Sequence, residues 1–211
     1  MSINQQKELA NFLIAQDVLK SKRVISAFTA VDRQDFVLAN VKNLAYLDEA
    51  LPIGYGQTIS QPSTVAFMLE HLDAREGDIV FDVGSGSGWQ VAMLAHIVGP
   101  KGQVYAMELI SELCEFGKNN LKKYEDLRER VTFACGDATA GVGFLRAKES
   151  IDKIIAAATV GEVPVAWREQ LKVGGKMIYP KNGSLFEEIK TGHDKFKQIE
   201  YPGFVFVPFR H

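Results

Sequence analysis

The stretch Val80-Phe81-Asp82-Val83-Gly84-Ser85-Gly86-Ser87-Gly88 runs from a short apolar segment into a glycine-rich turn, and it decides the fold. Glycine has no Cβ, so the backbone of such a turn can approach a ligand where side chains would block it. Apolar residues at helical spacing follow over residues 89–98. A strand, a glycine turn and a helix in this order predict a site for a nucleotide-like ligand.

The spacing of the glycines separates two classes of ligand. The dinucleotide fingerprint requires its third glycine one position later, where this chain has Trp89, and the spacing here is Gly-x-Gly-x-Gly. A pyrophosphate would also be repelled by Asp82, directly before the glycines. S-adenosylmethionine carries no phosphate and has an amino group that an acid can bind. The pattern therefore favours S-adenosylmethionine over NAD.

Two further acids follow the next two predicted strands. Glu108 lies 20 residues beyond Gly88 (108 minus 88), where a carboxylate can accept both hydroxyls of a ribose. Asp137 follows the third strand, where it can accept the amino group of an adenine. Because the carboxyl ends of parallel strands meet at one edge, we expect Asp82, Glu108 and Asp137 to converge. Any one of these acids alone is also a common helix cap, so the prediction depends on the set.

Strand and helix patterns alternate through the rest of the chain. We predict strands over residues 79–83, 103–107, 131–135, 153–157 and, after a Gly-Gly turn, 175–180, with helices over 89–98, 110–124 and 164–171. Residues 184–190, a turn at 193–195 and residues 204–209 predict an antiparallel edge. The fold class is therefore α/β, with a doubly wound, mainly parallel seven-stranded Rossmann-like sheet. Its ligand site is expected at the carboxyl ends of the strands.

The first third of the chain differs from this alternation. Apolar residues at helical spacing predict helices over residues 5–19, 23–28 and 63–72. Between them, residues 51–62 contain two prolines and two glycines and show no period, which predicts an ordered loop. We expect one domain over residues 1–211, with residues 1–75 forming the N-terminal helices and substrate loop and residues 76–211 the cofactor-binding sheet and closing strands.

Composition excludes several classes of protein. The 211 residues are 46% hydrophobic and 24% charged, which is typical of a globular protein. A formal net charge of -2 lacks the basic footprint of a protein that grips nucleic acid. Residues 1–19 mix charged and apolar side chains unlike a signal peptide, and no apolar run could span a bilayer. We therefore expect a cytoplasmic protein that binds neither membrane nor nucleic acid, and we also expect it to be a monomer.

The cysteines and histidines show no pattern of a reactive or metal-binding site. Cys114 and Cys135 fall in a predicted helix and a predicted strand, and we interpret them as packing residues in a reducing compartment. The histidines lack ligand spacing, so we expect no metal and interpret them as surface or structural residues; they are His71, His96, His193 and His211.

With these motifs in place, nearly the whole chain resembles the protein-L-isoaspartate O-methyltransferase family. The most specific segment is Leu51-Pro52-Ile53-Gly54-Tyr55-Gly56-Gln57-Thr58-Ile59-Ser60-Gln61-Pro62, which is similar to the family's signature loop. The segments that surround it are similar to the family as well; they are Arg23–Ile25, Val31–Val37, Ala45–Asp48, Gln170–Gly175, Tyr179–Pro180 and Phe206–Phe209.

The resemblance implies an enzyme that moves a methyl group from S-adenosylmethionine to the α-carboxylate of L-isoaspartyl residues in damaged proteins. The ester then cyclises to a succinimide, which begins repair. The family's catalytic serine maps onto Ser60. Its cofactor contacts map onto Gln57, Thr58, Asp82, Gly84, Ser85, Gly86, Glu108, Leu109, Asp137 and Ala138. A serine directly before a proline-started helix is also a frequent N-cap, and both roles can coexist.

Three departures from the family pattern bear on this reading. Ala138 stands where a glycine is usual, Trp89 replaces a tyrosine, and the loop Ala156–Glu162 lacks the usual threonine-alanine-alanine order. Three alternatives stay open at this point. One is a relative that methylates an aspartate in a dedicated peptide, another is a noncatalytic adaptor that binds the cofactor, and the third is a nucleic-acid methyltransferase.

Overall fold

The computed structural model describes residues 2–143, 145 and 148–209. Within them the helices are α1 Ser2–Ala15, α2 Lys22–Ala30, α3 Pro62–Leu72, α4 Trp89–Val98, α5 Ser111–Leu121, α6 Glu125–Arg128 and α7 Val165–Gln170. The strands are β1 Leu51–Gly54, β2 Gln57–Ile59, β3 Ile79–Val83, β4 Gln103–Glu108, β5 Val131–Cys135, β6 Ile151–Ala156, β7 Leu171–Lys181, β8 Ser184–Gly192 and β9 Lys195–Pro202. Short 3-10 helices cover Arg33–Phe36, Ala39–Leu44 and Gly99–Lys101.

Seven of the described strands form one sheet in the order β5-β4-β3-β6-β7-β8-β9. The first five in this order are parallel, whereas β8 pairs antiparallel with both β7 and β9. The strand order reverses beside β3, and the crevice at such a reversal is where open α/β sheets bind their ligands. The predicted fold class, including the antiparallel C-terminal edge, is confirmed.

Helices cover the sheet, so its central strand is buried on both faces. Along β3, every residue after Ile79 is buried, as the continuous apolar pattern indicates. The N-terminal helices pack onto α4, and Gln6 joins them by donating to the carbonyls of Phe28 and Val31 at 2.5 and 3.2 Å. One apolar cluster contains residues of α1, of α4 and of β8. The N-terminal helices therefore share this apolar cluster with the sheet.

The predicted loop at residues 51–62 is ordered, but it contains secondary structure that the prediction missed. Strands β1 and β2 form a small antiparallel hairpin of their own. Gly54, Tyr55 and Gly56 turn the chain at its tip, all with positive φ. Each strand is only three or four residues long, so it is too short to show an alternation of apolar and polar residues.

The prediction of the last strand at residues 204–209 is wrong. The strand that completes the sheet is β9, which is largely exposed and therefore lacks an apolar face that a sequence pattern could reveal. The apolar residues after it cover other elements instead. The ring of Phe204 lies 5.0 Å from that of Phe67, and the ring of Phe209 lies 5.8 Å from that of Trp167.

The predicted Gly-Gly turn before the fifth strand is also wrong, because Gly174 and Gly175 lie inside β7. The pairing of β6 with β7 is irregular at this point. A Cβ on Gly175 would lie 2.8 Å from the Lys172 carbonyl oxygen and 2.9 Å from that of Asp152. The glycines thus allow two backbones to approach closely within the sheet.

The two cysteines are not separate packing residues, as the sequence interpretation had them, but form a disulfide. Cys114 lies in the first turn of α5 and Cys135 ends β5, where the helix packs against the strand. The two cysteines are 21 positions apart, and only the packing of α5 on the sheet brings their sulfurs together, which the spacing alone does not reveal. The bonded pair also removes the argument from cysteine usage for a reducing compartment.

No helix in the part of the chain that the structure describes is long and apolar enough to cross a membrane.

The histidines within the described residues each contact a polar neighbour. His71 lies 3.1 Å from a Glu187 oxygen, His96 2.9 Å from the Ser26 hydroxyl and His193 2.9 Å from an Asp194 oxygen. The structural role predicted for these three agrees with their contacts, whereas His211 lies outside the described residues.

The disulfide predicts a stability that depends on oxidation. Replacing Cys135 with Ser should lower the free energy of unfolding by about 3 kcal/mol without reductant, because the bond constrains the unfolded chain. Cys135 is exposed, so the new hydroxyl is not buried. Urea unfolding of both proteins, with and without dithiothreitol, measures the effect. The difference should vanish in reductant, and equal stability without reductant would contradict the prediction.

Candidate active site

A cavity opens at the carboxyl ends of the central strands, which is where open α/β sheets bind their ligands. Its walls bring together the β1–β2 hairpin, the glycine loop, the end of β4, the loops after β5 and β6, and the C-terminal segment. The lining residues are Ile53, Gln57–Ser60, Val65, Val83–Ser87, Trp89, Gln90, Met107–Ile110, Leu113, Gly136, Ala138, Ala157, Ala158 and Val207–Phe209.

The backbone amides of the glycine loop are used within the protein. Gly84 N and Ser85 N donate to the Met107 carbonyl at 2.9 and 3.2 Å, and Gly88 N donates to the Ser85 carbonyl at 2.8 Å. Gly86 N donates to a carboxylate oxygen of Glu108 at 2.9 Å. Four amides of the loop are therefore already engaged within the protein.

Close packing behind the loop explains its last glycine. Gly88 has φ of +83°, and a Cβ there would lie 3.0 Å from the carbonyl oxygen of Gly117 in α5. Gly117 is equally constrained, because its own Cβ would lie 2.8 Å from the Gly86 carbonyl oxygen. Two glycines thus face each other where the loop and α5 meet, and this contact sets how deeply the loop lies beneath the cavity.

Glu108 is the acid that the structure places on the cavity wall. Its carboxylate is buried, and it accepts from Gly86 N at 2.9 Å and from Ile110 N at 3.0 Å, one bond to each oxygen. Each oxygen keeps a further lone pair for a ligand hydroxyl. The two amides hold the carboxylate in one orientation at the end of β4, as an acceptor for a pair of hydroxyls requires.

Asp82 lies behind the wall rather than on it. It is fully buried in β3, and one oxygen accepts from the Gln90 side chain at 2.6 Å. The other oxygen has no hydrogen-bond partner among the described residues. Burial raises the pKa of Asp82 to about 7, with the nearby charge of Glu108 adding to the effect. Gln90 does line the cavity, so it connects Asp82 to the site.

Asp137 is exposed and stands outside the set of lining residues. One of its oxygens accepts from the amide and hydroxyl of Thr139 at 2.8 and 2.5 Å. Its neighbours Gly136 and Ala138 do line the cavity. The expected convergence of three acids is therefore incomplete, because a sequence pattern gives the strand end at which an acid lies but not where its side chain points.

Ala138, which replaces a usual glycine, is buried against the cavity. It is not among the residues with positive φ, so the backbone here does not require glycine. Its carbonyl accepts from the indole nitrogen of Trp167 at 2.8 Å. The alanine methyl therefore changes the shape of the wall without straining the chain.

Ser60 lies on the cavity wall with Gln57 and Thr58, as the resemblance implied. The N-cap of α3 is Gln61 and not Ser60, so the alternative role of Ser60 as N-cap is wrong. The carboxylate of Asp48 takes over the capping, since it accepts from Ser63 N at 2.7 Å and from the Gln61 side chain at 3.1 Å. The Ser60 side chain is therefore not required for the start of the helix.

The remaining predicted residues are all on the wall. Gly84, Ser85, Gly86 and Leu109 line the cavity, and the buried hydroxyl of Ser85 has no hydrogen-bond partner in the described part of the chain. A buried hydroxyl beside a polar ligand gains a partner on binding. This orphaned group fits a ligand that carries polar atoms.

Several wall residues were not among the predicted site residues. Trp89 is buried, and its ring lies 5.4 Å from that of Phe28, so it packs towards the N-terminal helices while lining the cavity. Residues Val207–Phe209 reach the site because Thr159 N donates to the Val207 carbonyl at 2.8 Å and Phe209 N to the Thr159 carbonyl at 2.9 Å. Nothing in the spacing of these segments indicates that they meet.

One group of three potential metal ligands occurs among the described residues, namely Cys114, Glu115 and Cys135. The two sulfurs are bonded to each other, so neither is a thiolate that could bind an ion. The group also lies in the packing of α5 on β5 and lines no part of the cavity.

The family model and the relatives that this chain matches all carry the same family name. The model of the protein-L-isoaspartate(D-aspartate) O-methyltransferase family matches residues 4–211. A protein-L-isoaspartate O-methyltransferase of Pyrococcus horikoshii is 41% identical over 207 residues, which are 96% of this chain and 91% of that protein. One of Ignicoccus hospitalis is 43% identical over 192 residues, which are 89% of each.

A solved structure shows that the similarity extends to the fold. A chain from Plasmodium falciparum that carries the same activity name, in complex with S-adenosyl-L-homocysteine, superimposes with a TM-score of 0.86. The match covers 97% of this chain and 98% of that one at 22% identity, a level at which it speaks for the fold alone. Since the family model spans nearly all of the sequence and a relative that is 41% identical covers 96% of it, this chain belongs to the protein-L-isoaspartate(D-aspartate) O-methyltransferase family.

Proposed function

We propose that this cavity holds S-adenosylmethionine against the glycine loop and Glu108, and that Ser60 positions the α-carboxylate of an L-isoaspartyl residue beside it. The chain is thus a protein-L-isoaspartate O-methyltransferase that initiates repair of damaged proteins. One observation carries the assignment of residues. The cofactor-type glycine loop and the family's signature hairpin line one and the same cavity.

The polar groups of the cavity fit the cofactor. Glu108 presents two fixed oxygens for a pair of hydroxyls, as a ribose has, and the loop amides are engaged rather than aimed at a phosphate. A cationic amino group near Gln90 would favour the ionised form of Asp82, whose pKa burial raises to about 7. Asp137 stands at the rim beside Gly136, and we propose that it reaches the adenine amino group from there.

The chemistry requires little more than alignment. The cofactor supplies a methyl group already activated on a sulfonium. A carboxyl with a reference pKa of about 4 is ionised at neutral pH, so the acceptor needs no general base. What the chain must do is hold the two reactants in line and exclude water. Ser60 can donate to the acceptor carboxylate, while apolar residues such as Ile53, Val65 and Leu113 keep the cavity dry.

The proposal includes a monomer that acts in the cytoplasm, where both the methyl donor and ageing proteins occur. It includes no nucleic-acid substrate, because the formal net charge of -2 gives no general attraction to a phosphate backbone. The partners are instead proteins and peptides that contain isoaspartyl residues.

Methyl transfer to matched peptides tests the function. With labelled S-adenosylmethionine, a peptide containing one isoaspartyl residue should be methylated, whereas the same peptide with a normal aspartyl residue should react at least about a hundredfold more slowly. The isoaspartyl linkage moves the α-carboxylate by one methylene, and misplacement by about 1 Å can cost that factor. Equal rates would favour a dedicated-peptide enzyme, and tight cofactor binding without any transfer would favour an adaptor.

Replacing Glu108 with Gln tests the cofactor site. The amide nitrogen cannot accept a hydrogen bond, so the variant should bind S-adenosylhomocysteine more weakly by about 1.5 to 3 kcal/mol. Calorimetry measures the affinity directly. A matched control is Glu187→Gln, which removes another buried carboxylate that pairs with Lys176 away from the cavity. That control should retain its affinity, and an unchanged affinity in the Glu108 variant would remove Glu108 from the site.

Replacing Ser60 with Ala separates positioning from stability. Loss of one hydrogen bond to a charged substrate should lower kcat/KM for the isoaspartyl peptide about tenfold to 150-fold, with cofactor affinity nearly unchanged. Because Gln61 is the N-cap of α3, the melting temperature should change little. Ser63→Ala is the control, since Ser63 lies one turn away and does not line the cavity. A fully active Ser60 variant would end the assignment of this residue.

A further inference from the structure

The most unusual charged group outside the described site is the guanidinium of Arg33. The side chain is completely buried, and no carboxylate among the described residues forms a hydrogen bond with it. Burial lowers the pKa of Arg33 to about 10, which the charge of Asp48 opposes. Taking a cation out of water costs free energy unless its donors are satisfied. Its partners therefore indicate which part of the fold needs a cation there.

Those partners are backbone carbonyls on both sides of the β1–β2 hairpin. One terminal nitrogen donates to the carbonyls of Ala45 at 2.8 Å and Leu47 at 3.3 Å, which precede the hairpin. The other terminal nitrogen donates to the backbone carbonyls of Glu49 at 2.8 Å and Ser60 at 3.1 Å. The planar fork thus joins the chain that enters the hairpin to the residue that leaves it, a geometry that a lysine ammonium cannot reproduce.

The same guanidinium also contacts the cofactor half of the site. Its carbon lies 5.2 Å from the ring centroid of Trp89, the residue that follows the glycine loop and lines the cavity. Asp48 acts from the other side of Ser60, because it holds Ser63 N and the Gln61 side chain. Ser60 is therefore placed between a cation that binds its carbonyl and an anion that caps the helix after it.

From this arrangement we infer that Arg33 is a positioning residue for the methyl transfer, which acts by fixing the backbone of Ser60 relative to the wall formed by Trp89. The inference rests on the proposed role of Ser60. It assigns a function in the reaction to a residue that touches neither the cavity nor the reactants.

A double-mutant cycle between Arg33 and Ser60 tests the inference. Arg33→Lys and Arg33→Gln are made alone and combined with Ser60→Ala, and peptide kinetics are measured well below the melting temperature of every variant. Arg33→Lys should lower kcat/KM at least about tenfold, with cofactor affinity within about threefold of the unaltered chain. On the Ser60→Ala background, the same change should cost less than about threefold, because residues that act through one group are not additive.

Arg168→Lys is the matched control. Arg168 also places its guanidinium over an aromatic ring, that of Phe196 at 5.1 Å, and bonds Glu188 at 2.8 Å, but it lies away from the cavity. This variant should lose stability and keep its kcat/KM. Equal losses of activity in the Arg33 and Arg168 variants would make the Arg33 effect a general one and overturn the inference.

The outcomes separate this inference from the proposed function. An unaltered chain that does not methylate isoaspartyl peptides would overturn both. An active chain whose Arg33 and Ser60 effects simply multiply would overturn the positioning role alone. Failure of both Arg33 variants to fold would show that Arg33 serves the fold rather than Ser60, and would overturn it as well.

Discussion

The carboxylate of Glu108 ties the glycine loop to the strand beside it, since it accepts from Gly86 N at 2.9 Å and from Ile110 N at 3.0 Å. The Met107 carbonyl takes two further amides of the loop. These bonds hold three amides of the loop against the end of β4. The depth of the loop and the orientation of the acid therefore depend on each other, and the proposed cofactor site is built on this constraint.

The β1–β2 hairpin, which we propose to be the substrate side of the cavity, is held by a buried cation. A hairpin of seven strand residues is too small to be stable by itself, and its base is joined by the buried Arg33 through four carbonyls. Burying a guanidinium is costly, and the observed partners offset that cost by satisfying the donors of both terminal nitrogens. Asp48 supplies the compensating charge and caps α3 at the same time. The hairpin side and the glycine-loop side of the cavity meet at Trp89, which contacts the cation and lines the cavity.

The remaining walls come from parts of the chain that are distant in sequence. The C-terminal segment reaches the loop after β6 through Thr159, and Ala157 and Ala158 of that loop line the cavity, so the unusual order of residues there shapes the site directly. The disulfide joins α5 to the end of β5 next to Leu113 and Gly136, two lining residues.

The sequence by itself determined the fold class, the glycine loop, the acid Glu108 and the family hairpin with Ser60, because each of these depends on local spacing or on a motif of adjacent residues. Only the tertiary structure decided which acids face the cavity: Asp82 is buried behind Gln90, and Asp137 lies exposed at the rim. The sequence likewise did not reveal the disulfide, the hydrogen bonds of Arg33 to four carbonyls, or the part of the cavity wall formed by Val207–Phe209. A periodic pattern indicates which residues of one helix or strand face the core. These contacts instead join positions that are 21, 27 and 49 residues apart (135 minus 114, 60 minus 33, 208 minus 159). Their geometry exists only once the helices and strands have packed.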